Sequence, residues 1–312
     1  MQVLVVSGFL GAGKTTFIKE LIRRTGKFMV VLENEYGDNN LDSQALNGSG
    51  DIEILEFMEG CVCCTKKDSF VNTILSISAA MDPEYLVVEP TGVGKLSAIL
   101  ENINKISYER ISVLPPVVIL NPASISDYIR DYPEIYKDQI SNASKIVLSK
   151  CEHTDADIIE DAVHRLREYN SAAEILNHHY SYEPYEWWNA LLDGNEESTE
   201  AKGGLSETAD DSEIDEFGQI SLKDVELGSL ADLIVFLEDL LRGSFGQIPR
   251  AKGIVKIKNT GEYLRFDVAD GLYGIIKEPN EDPSPQCVFI GKHIQSDLIG
   301  IRTGKFRLKL GL

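Results

Sequence analysis

Residues 8–15 read Gly-Phe-Leu-Gly-Ala-Gly-Lys-Thr, a spacing whose chemistry is the capture of phosphate. Gly8, Gly11 and Gly13, with the small Ala12 between them, let successive main-chain N–H groups face one anion. Lys14 reaches the outer phosphates, and the Thr15 hydroxyl is a ligand for Mg2+. The string carries this meaning only between a strand and a helix. Here the apolar run Val3 to Val6 precedes it and a helical pattern from Thr16 to Arg24 follows, so the loop opens a helix N-terminus. These residues predict a nucleoside-triphosphate binder.

Two further segments suit the same ligand. Glu89 ends the apolar strand Tyr85 to Val88, where a carboxylate can hold magnesium or its water, and Gly92 behind it lets main chain approach a terminal phosphate. Ser149-Lys150-Cys151-Glu152 follows the strand Lys145 to Leu148. There Glu152 could accept hydrogen bonds from the ring N–H and exocyclic amine of guanine while the Lys150 stem covers the base. A strand end followed by a plain polar turn is the other reading of the same four residues.

A different chemistry gathers at Cys61-Val62-Cys63-Cys64. Three sulfurs within four positions, without a distant second pair, cannot close a tetrahedron alone, so a coordination position is open or borrowed. The candidate donors are the carboxylates of the 33–38 loop, Glu33 among them, or a group from another protein. Thr65 and Asp68 fit a capping box that opens a helix running to about Ala80. That helix start and Lys66–Lys67 favour thiolates, which select zinc, cuprous copper or another thiophilic ion over magnesium. Cys151, Cys287 and the five histidines do not share a ligand spacing with the cluster.

The elements that must position these groups alternate. Apolar runs at Phe28 to Leu32, Ile52 to Phe57, Tyr85 to Val88, Val117 to Leu120 and Ile146 to Leu148 read as buried strands separated by helical stretches. Such alternation predicts an α/β fold, a phosphate-loop NTPase parallel sheet with helices on both faces. Between Asp193 and Glu216 ten carboxylates stand against Lys202 alone, which reads as a solvated linker. Beyond it come strands near Gln219 to Leu222, Gly253 to Ile257, Tyr263 to Val268, Gly274 to Ile276, Val288 to Ile290 and Phe306 to Leu310, with a helix at Leu230 to Leu241. The expected organisation is therefore residues 1–192, a linker 193–216, and a smaller α+β domain at 217–312.

Composition narrows the partners. A formal net charge of -20 over 312 residues leaves no basic footprint for nucleic acid. No run of about 18 apolar residues suggests a membrane span, and the first strand starts almost at once without a signal-type leader, so a cytoplasmic location is expected. Five cysteines are too few for a disulfide scaffold.

Taken together, Gly8 to Thr16, Glu33-Asn34-Glu35-Tyr36-Gly37, Gly60-Cys61-Val62-Cys63-Cys64, Glu89-Pro90-Thr91-Gly92, Arg250-Ala251-Lys252-Gly253 and Phe289-Ile290-Gly291 resemble the CobW-like metallochaperone GTPases, a family that includes nitrile hydratase activators. The likeness runs in order through nearly the whole chain. It implies GTP and Mg2+ as ligands, with Gly8 to Thr16, Gly92, Ser149, Lys150 and Glu152 around the nucleotide. It also implies Thr15 and Glu89 at the magnesium, Lys14 and Glu89 in hydrolysis, and Zn2+ or Co2+ carried on Cys61, Cys63 and Cys64 with Glu33. The implied partner is a client metalloprotein, a corrinoid-related one among the candidates. The chain departs from the family pattern at Glu152, where Asp is usual, at Ser149, where Asn or Thr is usual, and in an acidic linker where many members are histidine-rich. Two other readings stand beside this one: an ATP-using phosphate-loop enzyme, and an activation partner of a corrinoid or metalloenzyme with little turnover. The oligomeric state is left open.

Overall fold

The computed structural model describes residues 1–33, 52–56, 67–108, 110–194, 217–279 and 283–304. The cysteine cluster, Thr65, the loop after Glu33, the acidic linker beyond Gly194 and the expected strand at Phe306 to Leu310 all lie outside the described residues. The chain divides into two compact units, Met1–Leu205 and Ser206–Leu312.

The first unit is built on β1 (Gln2–Ser7), α1 (Lys14–Thr25), β2 (Met29–Glu33), β3 (Ile52–Glu56), α2 (Lys67–Ala80), β4 (Tyr85–Glu89) and α3 (Leu96–Asn104). It continues through β5 (Ser112–Val113), β6 (Val117–Leu120), α4 (Ile125–Asp131), α5 (Pro133–Ser141), β7 (Lys145–Leu148), α6 (Ala156–Tyr169), β8 (Glu174–Leu176) and α7 (Tyr185–Ala190). The strands pair in the order β3-β2-β4-β1-β6-β7-β8, with β5 beside β1, and every pairing is parallel. From β1 the chain moves toward β2 through α1; through α2, α3, α5 and α6 it moves the other way. Because such crossovers are right-handed, α1 covers one face of the sheet, and α2, α3, α5 and α6 cover the other. Packing agrees: α1 meets α7, while α2 meets α3, α3 meets α5 and α5 meets α6.

Burial on both faces explains the unbroken apolar strands. Val3 to Val6, Leu86 to Val88, Val118 to Leu120 and Ile146 to Leu148 are all fully buried. Helix α1 follows from its pattern, since Phe17, Ile18, Leu21 and Ile22 turn one apolar stripe to the sheet. It stops at Gly26, whose left-handed φ of 61° lets its N–H return to the Ile22 carbonyl. Phe17 packs against Tyr180, Trp187 and Trp188 on the α1 side.

The second unit holds β9 (Gly218–Lys223), β10 (Glu226–Leu227), α8 (Leu230–Leu241), β11 (Gln247–Ile257), β12 (Tyr263–Ala269), β13 (Leu272–Lys277), β14 (Gln286–Lys292) and α9 (Ser296–Arg302). Its sheet runs β13-β12-β11-β14-β9 with antiparallel pairings, and β10 adds in parallel to β11. Leu233, Phe236, Leu237 and Leu240 of α8, with Ile299 of α9, share one core with Ala251, Val255, Phe266 and Phe289. This is the smaller α+β body anticipated from the pattern. Two expected boundaries move. Phe28 is 52% exposed and precedes β2, and Glu33 belongs to the strand rather than to the loop after it.

Candidate nucleotide site

All parallel strands of the first unit end on one side, and the phosphate loop lies there between β1 and α1. Gly8 is required twice over. Its φ of +141° is outside the range L side chains favour, and a Cβ would stand 2.2 Å from the Ile119 carbonyl oxygen. Gly13, at φ 93°, is the N-cap of α1 and offers no capping side chain. The first N–H groups of α1 therefore face the loop uncapped, as an anion site requires. Lys14 is buried at the first helical position, with Nζ 3.3 Å from the Phe9 carbonyl oxygen.

Thr15 and Glu89, 74 positions apart, come together. The Thr15 Oγ1 lies 2.9 Å from Glu89 Oε1 and 3.0 Å from Oε2, donating across the carboxylate. The contact exists because β1 and β4 are neighbours in the sheet. A hydroxyl and a carboxylate side by side are hard oxygen donors of the kind Mg2+ selects.

Behind Glu89 the chain turns through Thr91 and Gly92. A Cβ at Gly92 would meet Leu10 N at 2.5 Å and Phe9 C at 2.8 Å, so this turn rests directly on the phosphate loop. On the loop's other flank the Phe9 ring packs on Tyr128 of α4, Tyr132 at the α4–α5 junction and Tyr136 of α5, with centroids 4.4, 5.1 and 5.9 Å away. Burial, with help from the Asp131 carboxylate, pushes the Tyr132 hydroxyl up to about 12.

Ser149 joins the site in a way the sequence did not indicate. Its buried hydroxyl lies 2.7 Å from the Ala12 carbonyl oxygen and 3.2 Å from that of Leu120, with one proton for both. It fastens the end of β7 to the phosphate loop, a task suited to a short hydroxyl side chain. Lys150 follows in the left-handed region at φ 57°, and Glu152 is partly exposed. The Glu152 Oε2 lies 3.7 Å from His179 Nε2. His179 is held in turn: its Nδ1 accepts from the Ser181 N–H at 3.2 Å and its ring stacks on Tyr180. With Nδ1 turned to Ser181, Nε2 faces Glu152. Burial and the Glu152 carboxylate push the Cys151 thiol up to about 11, which disfavours the nucleophilic thiolate.

Glu33 is buried at the end of β2, in register with Glu89 of β4 and Glu56 of β3. Its place is thus a strand end beside the Thr15–Glu89 pair, where a polar loop had been expected. Among the described residues no group of three or more His, Cys, Asp or Glu is arranged to hold a metal ion. Among them also no helix is long and apolar enough to cross a membrane.

A parallel sheet, a glycine loop feeding an uncapped helix, and a Thr–carboxylate pair at the neighbouring strand end define a phosphate-loop nucleotide-binding protein. The nucleotide-binding domain model of the CobW/HypB/UreG family matches residues 2–177, and the chain belongs to that family. Among its relatives is the zinc chaperone CobW of Sinorhizobium sp, 26% identical, the alignment covering 93% of this chain and 92% of the relative. The zinc chaperone YjiA of Escherichia coli is 26% identical over 96% of each chain. The zinc-regulated GTPase metalloprotein activator 1 of Schizosaccharomyces pombe is 25% identical over 58% of this chain and 46% of its own length.

Proposed function

We propose that this chain is a GTP-hydrolysing metallochaperone that loads a thiophilic ion, zinc or cobalt, on Cys61, Cys63 and Cys64 and delivers it to a client metalloprotein. The observation that carries the reading is the Thr15–Glu89 contact beside the uncapped start of α1. It supports a site for a magnesium-bound triphosphate in which Glu89 can also order the attacking water. Thr15 and Glu89 would hold the ion, and bound Mg2+ neutralises charge on the phosphate oxygens. The α1 N-terminus and Lys14 hold the phosphates, Lys14 exchanging its bond to the Phe9 carbonyl for one to the outer phosphates. The Gly92 turn meets the terminal phosphate. Ser149 keeps the base-reading segment against the loop, and Glu152 reads guanine with Lys150 over its face.

Zinc is the favoured cargo because three neighbouring thiolates are soft donors. Names of the relatives lean the same way. Glu33 ends β2 beside Glu89, and we assign the sequence between it and Cys61 as the segment through which phosphate occupancy reaches the metal. The second unit, Ser206–Leu312, is the body we assign to client docking. A cytoplasmic setting suits reduced thiols. Steady-state GTP hydrolysis with and without zinc tests the coupling. Zinc is expected to change turnover in the wild type and to have no effect in Cys63→Ser; equal zinc responses in both proteins would overturn the proposal.

A further inference from the structure

The turn behind Glu89 is fastened from a helix that lends nothing to the phosphate loop's own sequence. Gln139, in the last turn of α5, is fully buried. Its Nε2 donates to the Gly94 carbonyl at 3.0 Å and lies 3.3 Å from that of Gly92. Its Oε1 is equally buried and has no hydrogen-bond partner among the described residues. The residue before it, Asp138, accepts from the Ser97 N–H at 3.1 Å and from the Ser97 hydroxyl at 2.5 Å, capping the first turn of α3. Adjacent residues of one helix thus hold both ends of the segment 92–97.

The same helix, its predecessor and the junction between them carry Tyr136, Tyr128 and Tyr132, which pack on Phe9 of the phosphate loop. The distance between the loop and the Gly92 turn is therefore set by α4–α5 as well as by direct contact. A buried amide with one unsatisfied oxygen is a costly way to fill space, since an apolar side chain would fit the stripe of Tyr136 and Ile140 without desolvating a polar group. Its two donated protons are what an apolar residue cannot supply.

We propose that Gln139 is a positioning residue for GTP hydrolysis. Its amide fixes the Gly92–Gly94 turn where the turn's main chain meets the terminal phosphate and where Glu89 faces the attacking water. The inference rests on the hydrolase reading above. It separates two functions of the site: the diphosphate is gripped by the loop and α1, and only the third phosphate reaches the turn that Gln139 holds. Removing the amide should therefore spare diphosphate binding and cost catalysis.

The test compares wild type with Gln139→Met, which keeps length without donors, and Gln139→Leu, which fills the buried site without donors. GTP turnover, KM and GDP affinity are measured on the full chain. The expected result is a kcat lower by about tenfold or more in both variants, with GDP affinity within about threefold of wild type, as for a misplaced catalytic turn. A smaller loss of kcat, or a parallel loss of GDP affinity, overturns the positioning role. Absence of GTP turnover in the wild type itself would instead sink the hydrolase reading. If neither variant folds, amide hydrogen exchange on wild type decides: the peptide spanning 91–97 should be protected differently with GDP and with a non-hydrolysable GTP analogue, and identical exchange overturns the proposal.

Discussion

Adding one methyl group at Gly92 isolates what the turn behind Glu89 contributes. An alanine Cβ there stands 2.5 Å from Leu10 N, 2.8 Å from Phe9 C and 2.9 Å from Leu10 Cα, all of it backbone. Ordinary contact begins at 3.4 Å, so the turn and the phosphate loop must part by roughly 1 Å. Neither side is a flexible side-chain end that could swing away. The loop is pinned by the Phe9–tyrosine packing and by Ser149 on the Ala12 carbonyl, whereas at Gly92 and Gly94 the turn is held by one amide, that of Gln139, so the more lightly held turn is the part that yields. A reacting group displaced by about 1 Å costs on the order of 10²-fold in rate, equivalent to about 2.7 kcal/mol of transition-state stabilisation. Gly92→Ala should therefore lower the kcat for GTP by about 10²-fold while GDP, gripped by the loop and α1, binds within about threefold of wild type. Phosphate release under saturating GTP gives the first number and titration with a fluorescent GDP analogue gives the second. Overpacking also costs the fold about 1–3 kcal/mol, visible as a lower Tm. A folded variant with turnover within about threefold of wild type would refute the placement of this turn at the terminal phosphate.

Other outcomes follow from the same geometry. Thr15→Ala removes the hydroxyl that donates to Glu89 and should lower kcat by about 10²-fold while raising the Mg2+ needed for half-maximal rate; a magnesium titration that superimposes on wild type would contradict the pairing. Cys151, whose thiol burial pushes up to about 11 from an ordinary value of 9.0, should resist iodoacetamide at pH 8 in the native protein and react once urea exposes it, as peptide mass mapping will tell. Because the folded state keeps that proton longer than the unfolded chain, the thiol favours unfolding only as pH rises from 9 toward 11. Denaturant midpoints for wild type and Cys151→Ala should then diverge in that window and run parallel below it.

Much of this was legible in the chain because it is written in contiguous residues. Val117–Leu120, Lys145–Leu148 and Leu230–Leu241 are unbroken apolar or amphipathic runs, and their elements fall where the pattern puts them. Strand β11 was readable only from Gly253 onward, since Pro249, Arg250 and Lys252 interrupt its first half. Its pairings with β12 and β14 are what carry it back to Gln247. Strands β5, β8 and β10 have two or three residues each, too few for any period, and exist because a neighbour pairs with them. Glu33 was assigned to a loop because a carboxylate ends an apolar run, whereas the β2–β4 register extends one residue further.

The site divides along the same line. Thr15 and Glu89 each stood out alone, but their contact across 74 positions depends on β1 lying beside β4. Gln139 carried one faint signal, a polar residue within the buried stripe of Tyr136 and Ile140 on α5, and its partners at Gly92 and Gly94 are known only from the fold. The Ser149 hydroxyl on the Ala12 carbonyl likewise needs β7 placed next to β6. Local chemistry is written in adjacent residues, while pairings across the sheet are not.

The central claim is that the nucleotide governs the cysteines' hold on their cargo. Zinc affinity measured by competition with a chromophoric chelator, on protein that is empty, GDP-loaded and loaded with a non-hydrolysable GTP analogue with Mg2+, tests it most directly. The triphosphate form should bind zinc with a different affinity, by about tenfold or more, a coupling of about 1.4 kcal/mol. The difference should vanish in Cys63→Ser. Three superimposable zinc titrations in the wild type would contradict it.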